Sequence, residues 1–180
     1  MKRIAASGFT LVEMLVVVTI LGVVAKVALP LLSSNDPQKL NVAAEETANI
    51  LRFALSEAKR TGGYVLVDGK TTSGHLKLYY STSSANLTTA ITDPLTKRTT
   101  DLNVASSAFS QGVILTPRFR SGGSAWTQLL IGPALTQMQG FDGASTNKGV
   151  LQANSGVLLT LGSQSVLVSI NQTTGLVTLP

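Results

Sequence analysis

Within the stretch SGFTLVEML, one carboxylate, Glu13, stands in an otherwise apolar run. A charged carboxylate held at the centre of a bilayer costs roughly 2.5–3.5 kcal/mol, and less near the interface, so an acid placed here implies a function and a cationic partner. Two further groupings carry chemical potential. His75, the only histidine, follows Asp68 and Ser73 and could be drawn as a Ser-His-Asp arrangement. TSGHLKL, however, reads as a turn entering a strand, without a Gly-x-Ser-x-Gly elbow, which predicts an exposed turn histidine. TPRFRSGGSAW sets Arg118 and Arg120 on either side of Phe119, a spacing that could grip phosphates while a ring stacks on a base. The preferred reading turns Phe119 into a core and both arginines to solvent, as in any amphipathic strand.

Other chemistries fall away on composition. The chain has 180 residues and no cysteine, which excludes disulfides, thiolate nucleophiles, iron–sulfur clusters and cysteine zinc sites. A single histidine argues against a transition-metal site. Asp93, Asp101 and Asp142 lack the alternating spacing of a calcium loop, Asp68-Gly69 reads as a hairpin turn, and no glycine-rich phosphate loop follows a strand. No catalytic residue, metal or cofactor is therefore predicted. Net charge is +5, with Lys2 and Arg3 among the contributors, so the body is mildly basic and permits weak attraction to nucleic acid or anionic lipid without demanding either.

The elements that must position these residues follow from periodicity. Phe9 to Leu32 is apolar except for Thr10, Glu13, Thr19 and Lys26, and a helix through it is about 36 Å long at ~1.5 Å per residue, enough to span a bilayer. Lys2 and Arg3 before it predict a cytoplasmic N-terminus and a body on the far side. Lys26, near the end of the run, is read as snorkelling to the outer interface, and Pro30 as a helix breaker or kink. From Gln38 to Arg60, Leu40, Ala43, Thr47, Ile50, Leu51, Ala54, Leu55 and Ala58 recur at helical spacing, with Glu45, Glu46, Arg52, Glu57, Lys59 and Arg60 mostly opposite. Gly62 and Gly63 end that amphipathic helix. Beyond Tyr64 come short β-prone runs, YVLVD, LKLYY, GVILTPRF, WTQLLIG, GVLLTL, SVLVSI and GLVTLP, which predict an antiparallel body closed by a hairpin around NQTT. Ser81 to Ser110 reads as a long loop or variable insertion.

After the basic leader, Gly8, Phe9, Thr10, Leu11, Val12 and Glu13 resemble the class III signal of type IV pilins and type II secretion pseudopilins. The resemblance implies that a prepilin peptidase cuts after Gly8 and methylates Phe9, and that Glu13 pairs with the terminal amine of a neighbouring subunit during filament assembly. It implies a helix kink at Pro30. LRFALSEAKRTGGYVLV and the absent cysteines are similar to the H-type minor pseudopilins and related minor pilins. The implied fold is α+β and pilin-like, a long N-terminal helix with a membrane-spanning half and an amphipathic half, packed on an antiparallel β body. The implied divisions are a leader over 1–8, a transmembrane and assembly helix over 9–32, an amphipathic half over 33–63 and a β-rich body over 64–180. The resemblance points to a structural subunit rather than an enzyme, anchored by a single pass in the inner membrane with a periplasmic body. Its partners would be other pilins or pseudopilins, the prepilin peptidase and inner-membrane lipid. The alternative is a DNA-binding minor pilin of a transformation pilus, with Arg118 and Arg120 as nucleic-acid contacts; nucleic acid is the less favoured partner.

Overall fold

Alanine dominates the inward face of the second helix, and that lets a sheet approach closely. The computed structural model describes residues 10–32, 36–134, 138–143 and 146–180, except for the side chains of 27–32. Helix α1 spans Leu11–Leu32 and α2 spans Asp36–Thr61. The chain divides between Asn35 and Asp36 into two units. In the second unit, α2 buries Leu40, Ala43, Ala44, Thr47, Ala48, Leu51, Ala54, Leu55 and Ala58, the stripe that the sequence spacing predicts with two more alanines, while the predicted Ile50 is only half-buried. Thr47 is tolerated there because its hydroxyl donates to the Ala43 carbonyl at 2.7 Å. Lys59 and Arg60 occupy the last turn. Gly62 follows at φ 63, the left-handed conformation that closes helices at little cost only in glycine.

Among the described residues, eleven strands form two antiparallel sheets. The first runs β3 (Asp101–Asn103), β2 (His75–Ser81), β1 (Tyr64–Asp68), β6 (Gln128–Ile131), β7 (Gln139–Phe141) and β8 (Asn147–Val150). The second runs β11 (Val177–Thr178), β10 (Gln164–Ile170), β9 (Ser155–Leu161), β4 (Ile114–Ser121) and β5 (Ser124–Trp126). This is the α+β architecture that the alternation of runs and turns predicts. Helix α2 lies against β9, β10 and β11 of one sheet and β1 and β6 of the other. Leu51, Ala54, Val65, Val67, Leu129, Ile131, Phe119, Leu159 and Val168 share the resulting core. The predicted closing hairpin is present, with Ile170 opposite Val177 and Ser169 opposite Thr178. Its turn is fixed by Asn171, whose side-chain oxygen accepts from the Thr173 and Thr174 amides at 2.9 Å each.

The first sheet is covered on both faces, which explains why YVLVD and QLLI do not alternate in polarity. Val65 and Val67 face the helix, whereas Leu66, Leu130 and Phe141 form a second small cluster with Ala85, against which Tyr64 and Tyr79 pack. Ala85 belongs to the segment that the sequence presents as a loop. That segment is more ordered than its Ser/Thr-rich composition suggests. Residues near 90 run along β2, with the Tyr80 amide donating to Thr89 and the Ile91 amide to Leu78, both at 2.8 Å. A strand, β3, and a 3-10 turn over Val104–Ser106 follow. Ile91 and Val104 anchor it as buried side chains, isolated apolar residues that leave no periodic signal.

Two local expectations need correction. Asp68-Gly69 does open the hairpin connection between β1 and β2, but Asp68 itself ends β1 as a buried carboxylate and not as an exposed turn residue. Its Oδ1 accepts from Gln128 Nε2 at 2.7 Å and from the Lys70 amide at 3.1 Å, so the acid organises a longer connection to β2. Gly69 after it has no room for a side chain, since a Cβ would strike the Pro117 ring and lie 3.0 Å from the Thr127 carbonyl oxygen. Glu57, placed on the solvent side by periodicity, is buried. Arg60 reaches its two oxygens at 2.6 and 3.0 Å and the Tyr80 hydroxyl donates to it at 2.6 Å, tying the end of α2 to β2.

The hydrogen bonds from Arg60, then that from Tyr80, hold the Glu57 carboxyl below its ordinary value against the opposing effect of burial. A carboxylate with a depressed folded-state pKa stabilises the fold above its unfolded pKa, and that contribution is lost as pH falls through the folded value. Glu57→Gln is expected to cost about 2 kcal/mol at neutral pH, the scale of hydrogen bonds to a charged group. Thermal unfolding of parent and variant across pH checks this, and the gap between them should narrow below about pH 4, the ordinary Glu range.

Candidate functional site

Helix α1 is rich in valine, a β-branched residue that favours helix only weakly in water, so its helicity needs support. Leu11, Val12, Met14, Leu15, Val18, Ile20, Leu21, Val23 and Val24 are all exposed. A helix apolar on every side is suited to an apolar surrounding, either lipid or a bundle of other helices. Its side chains are described only from Leu11 to Lys26, short of the ~20 apolar residues that a bilayer core needs. Among the described residues, no helix is long and apolar enough to cross a membrane. The one hydroxyl within this stretch, Thr19, donates to the Leu15 and Val16 carbonyls at 3.0 and 2.8 Å, which satisfies it inside the helix.

Glu13 occupies the first turn of α1. Thr10 immediately precedes the helix, and its amide and its hydroxyl both donate to Glu13 Oε2 at 2.9 Å. The Glu13 amide donates in return to Thr10 Oγ1 at 3.2 Å. Thr10 and Glu13 therefore form a reciprocal capping box, which satisfies two amides that the start of a helix leaves without intrahelical partners. A negative group at this end also opposes the positive pole of the helix dipole. Among the described residues Glu13 Oε1 accepts no hydrogen bond, so the carboxylate keeps capacity for another donor.

Thr10 is the site residue that the sequence reading missed. The signal was present: a threonine followed three positions later by glutamate at the head of an apolar run is the sequence form of a capping box. The cost of a charge in lipid drew attention to Glu13 and away from its neighbour. Gly8 and Phe9 lie outside the described residues, and so does the side chain of Pro30, whose backbone falls within α1. Lys26 is exposed on α1.

The second candidate site is arranged as the preferred reading has it. Phe119 is fully buried in β4, while Arg118 is exposed and Arg120 half-buried on the opposite side. No ring is left between the two arginines for a base to stack on. Trp126, paired with Phe119 across β5, donates its indole N–H to the Ser121 carbonyl at 3.0 Å, and Lys148 Nζ lies 5.0 Å from its ring centre. His75 is likewise not a free turn residue: it opens β2 with Nδ1 2.8 Å from Asp101 Oδ1, and Lys77 Nζ lies 3.4 Å from the other oxygen. Strand β3 supplies that partner, and its three residues are too few to show a period in the sequence. Among the described residues no cluster of histidine, aspartate and glutamate could hold a metal ion.

Residues 3–25 match the prokaryotic N-terminal methylation motif, which is typical of type IV pilins and pseudopilins. The matched stretch includes Gly8, Phe9, Thr10 and Glu13. No curated protein and no solved structure matches the chain.

The capping box makes a local prediction. Thr10→Ala removes the cap and is expected to cost the first turn of α1 about 1 kcal/mol. Hydrogen exchange of the Glu13 and Met14 amides, which donate to the Thr10 hydroxyl and carbonyl, should then quicken roughly fivefold in the detergent-solubilised chain, with amides beyond Thr19 unchanged.

Proposed function

We propose that the chain is a structural minor pilin or pseudopilin, a subunit of a type IV pilus or type II secretion filament, with no enzymatic role. The observation that carries this reading is the N-terminal methylation motif over residues 3–25, in which Glu13 lies in the first turn of a helix whose described apolar side chains are exposed. Residues 1–8 are the leader, removed by a prepilin peptidase after Gly8, and Phe9 becomes the methylated N-terminus. Residues 9–32 anchor the precursor in the inner membrane by a single pass and assemble with other subunits, kinked at Pro30, with Lys26 snorkelling to the outer interface. Residues 33–63 form the amphipathic half of the helix, and 64–180 form the body in the periplasm.

Assembly turns on Glu13. Oε2 already closes the helix of its own chain, and Oε1 is free to accept from the protonated Phe9 amine of a neighbour. A carboxylate buried alone among apolar helices is costly, whereas one facing a cation with good hydrogen-bond geometry is offset. The text LRFALSEAKRTGGYVLV and the lack of cysteine support an H-type minor subunit within this class.

Intact mass of the mature protein tests the reading. In a host with the peptidase, the chain should begin at N-methylated Phe9, and Gly8→Val should leave Met1–Gly8 attached because a side chain obstructs the close approach of the backbone to the peptidase. Parent chains that keep the leader in the presence of active peptidase would refute the assignment.

A further inference from the structure

The segment 93–98 is a rigid tip that presents an apolar side chain and two cations to the outside. Its arms are bridged at Thr92 and Thr99, the Asp93 amide donates to Arg98 at 2.8 Å and the Lys97 amide to Asp93 at 2.9 Å. Asp93 Oδ1 accepts from the Leu95 and Thr96 amides at 2.7 and 3.1 Å, and Lys97 takes φ 57 to complete the turn. So ordered a turn would ordinarily carry polar residues, yet Leu95 is 89% exposed. Lys97 and Arg98 beside it are exposed, and neither forms an ion pair with a described residue.

Beside the tip, between its base and α2, lies a groove of about 530 Å³. This volume lies within the roughly 300–1,000 Å³ of cavities that enclose a ligand group. Ile50 and Phe53 of α2 and Leu102 of β3 give it an apolar floor, and Glu46, Asp93 and Asp101 make it acidic, with no basic residue among the described residues of the lining. Thr100 adds a buried hydroxyl oxygen with no hydrogen-bond partner among the described residues. The groove thus asks for an apolar side chain flanked by positive charge, which is what the tip offers. The tip does not fill the groove of its own chain, because Leu95 is exposed.

We propose that the groove between α2 and the 93–102 segment receives the Leu95 tip of a second copy of this chain, with Lys97 and Arg98 facing Glu46 and Asp93. Burial of Leu95 against Ile50, Phe53 and Leu102 supplies the apolar contact, and the opposed charges fix register and exclude the wrong orientation. The pairing uses only the body, so it holds or fails independently of the filament reading.

The chain has no cysteine, so introduced thiols report without background. Two tagged full-length copies, one with Leu95→Cys and one with Ile50→Cys, are co-expressed and oxidised in isolated membranes. A disulfide between the copies is expected, since it forms only where Cα atoms come within about 4.4–6.8 Å. Glu46→Lys in the Ile50→Cys copy should lower the yield roughly tenfold, and Lys97→Glu with Arg98→Glu in the Leu95→Cys copy should restore it. If Ile50→Cys accumulates poorly, Asn49→Cys on the same wall replaces it. Equal yield from Ser56→Cys, which lies on α2 outside the groove, would overturn the proposal. So would a yield indifferent to charge reversal, absence of the disulfide with both copies present in the membrane, or capture of a different protein by Leu95→Cys.

Discussion

The physical constraint at the head of this chain is a carboxylate that must be satisfied in an apolar setting. Glu13 meets it locally first, by accepting both the amide and the hydroxyl of Thr10 on one oxygen. That arrangement starts the helix, neutralises two polar groups of Thr10 that lipid would otherwise penalise, and fixes the direction of the acid. A helix as valine-rich as α1 has little propensity to spare, so its first turn depends on this cap. In the proposed assembly the same carboxylate has a second task, and the unfilled Oε1 is where the neighbouring amine would bind.

The body handles its own buried acids by the same rule with different partners. Glu57 is held by Arg60 and Tyr80, and Asp68 by Gln128 and the amides of the turn after it. Each joins two elements: Glu57 ties α2 to β2, and Asp68 ties β1 to β6. Such groups contribute modestly to stability as pairs but are expensive to leave half-made, so they specify which ends of helix and sheet meet. Apolar burial supplies the bulk. The alanine face of α2 permits close packing over both sheets, while a second small cluster of Leu66, Leu130 and Phe141 secures the outer face of the first sheet.

Much of this was legible in the sequence where a period ran long enough to be read. The stripe from Leu40 to Ala58 marks α2, the NQTT hairpin marks the C-terminal edge, and the alternation of Arg118, Phe119 and Arg120 marks the face of β4. The failures share a cause: each depended on a partner far along the chain or on a single residue. Glu57 looked solvent-facing because its burial requires Tyr80. His75 looked free because Asp101 reaches it only when β3 pairs with β2. Ile91 and Val104 are buried singly, so the segment around them read as loop, and the tip at Leu95 lay hidden within it. Thr10 is a different failure, since the four-residue capping pattern was complete in the sequence itself.

The most direct test of the central claim separates the two tasks of Glu13. Glu13→Val removes a charge that is costly in lipid, which outweighs the roughly 1 kcal/mol lost with the Thr10 cap, so the precursor should still insert into the membrane and still be cut at Gly8. In the proposed bundle it would leave the neighbouring Phe9 amine unpaired. Expressed with its partner subunits, the variant is therefore predicted to be abundant in the membrane fraction and nearly absent from sheared filaments. Recovery in filaments at the parent level would contradict the account, and loss from the membrane as well would assign Glu13 to insertion instead of assembly.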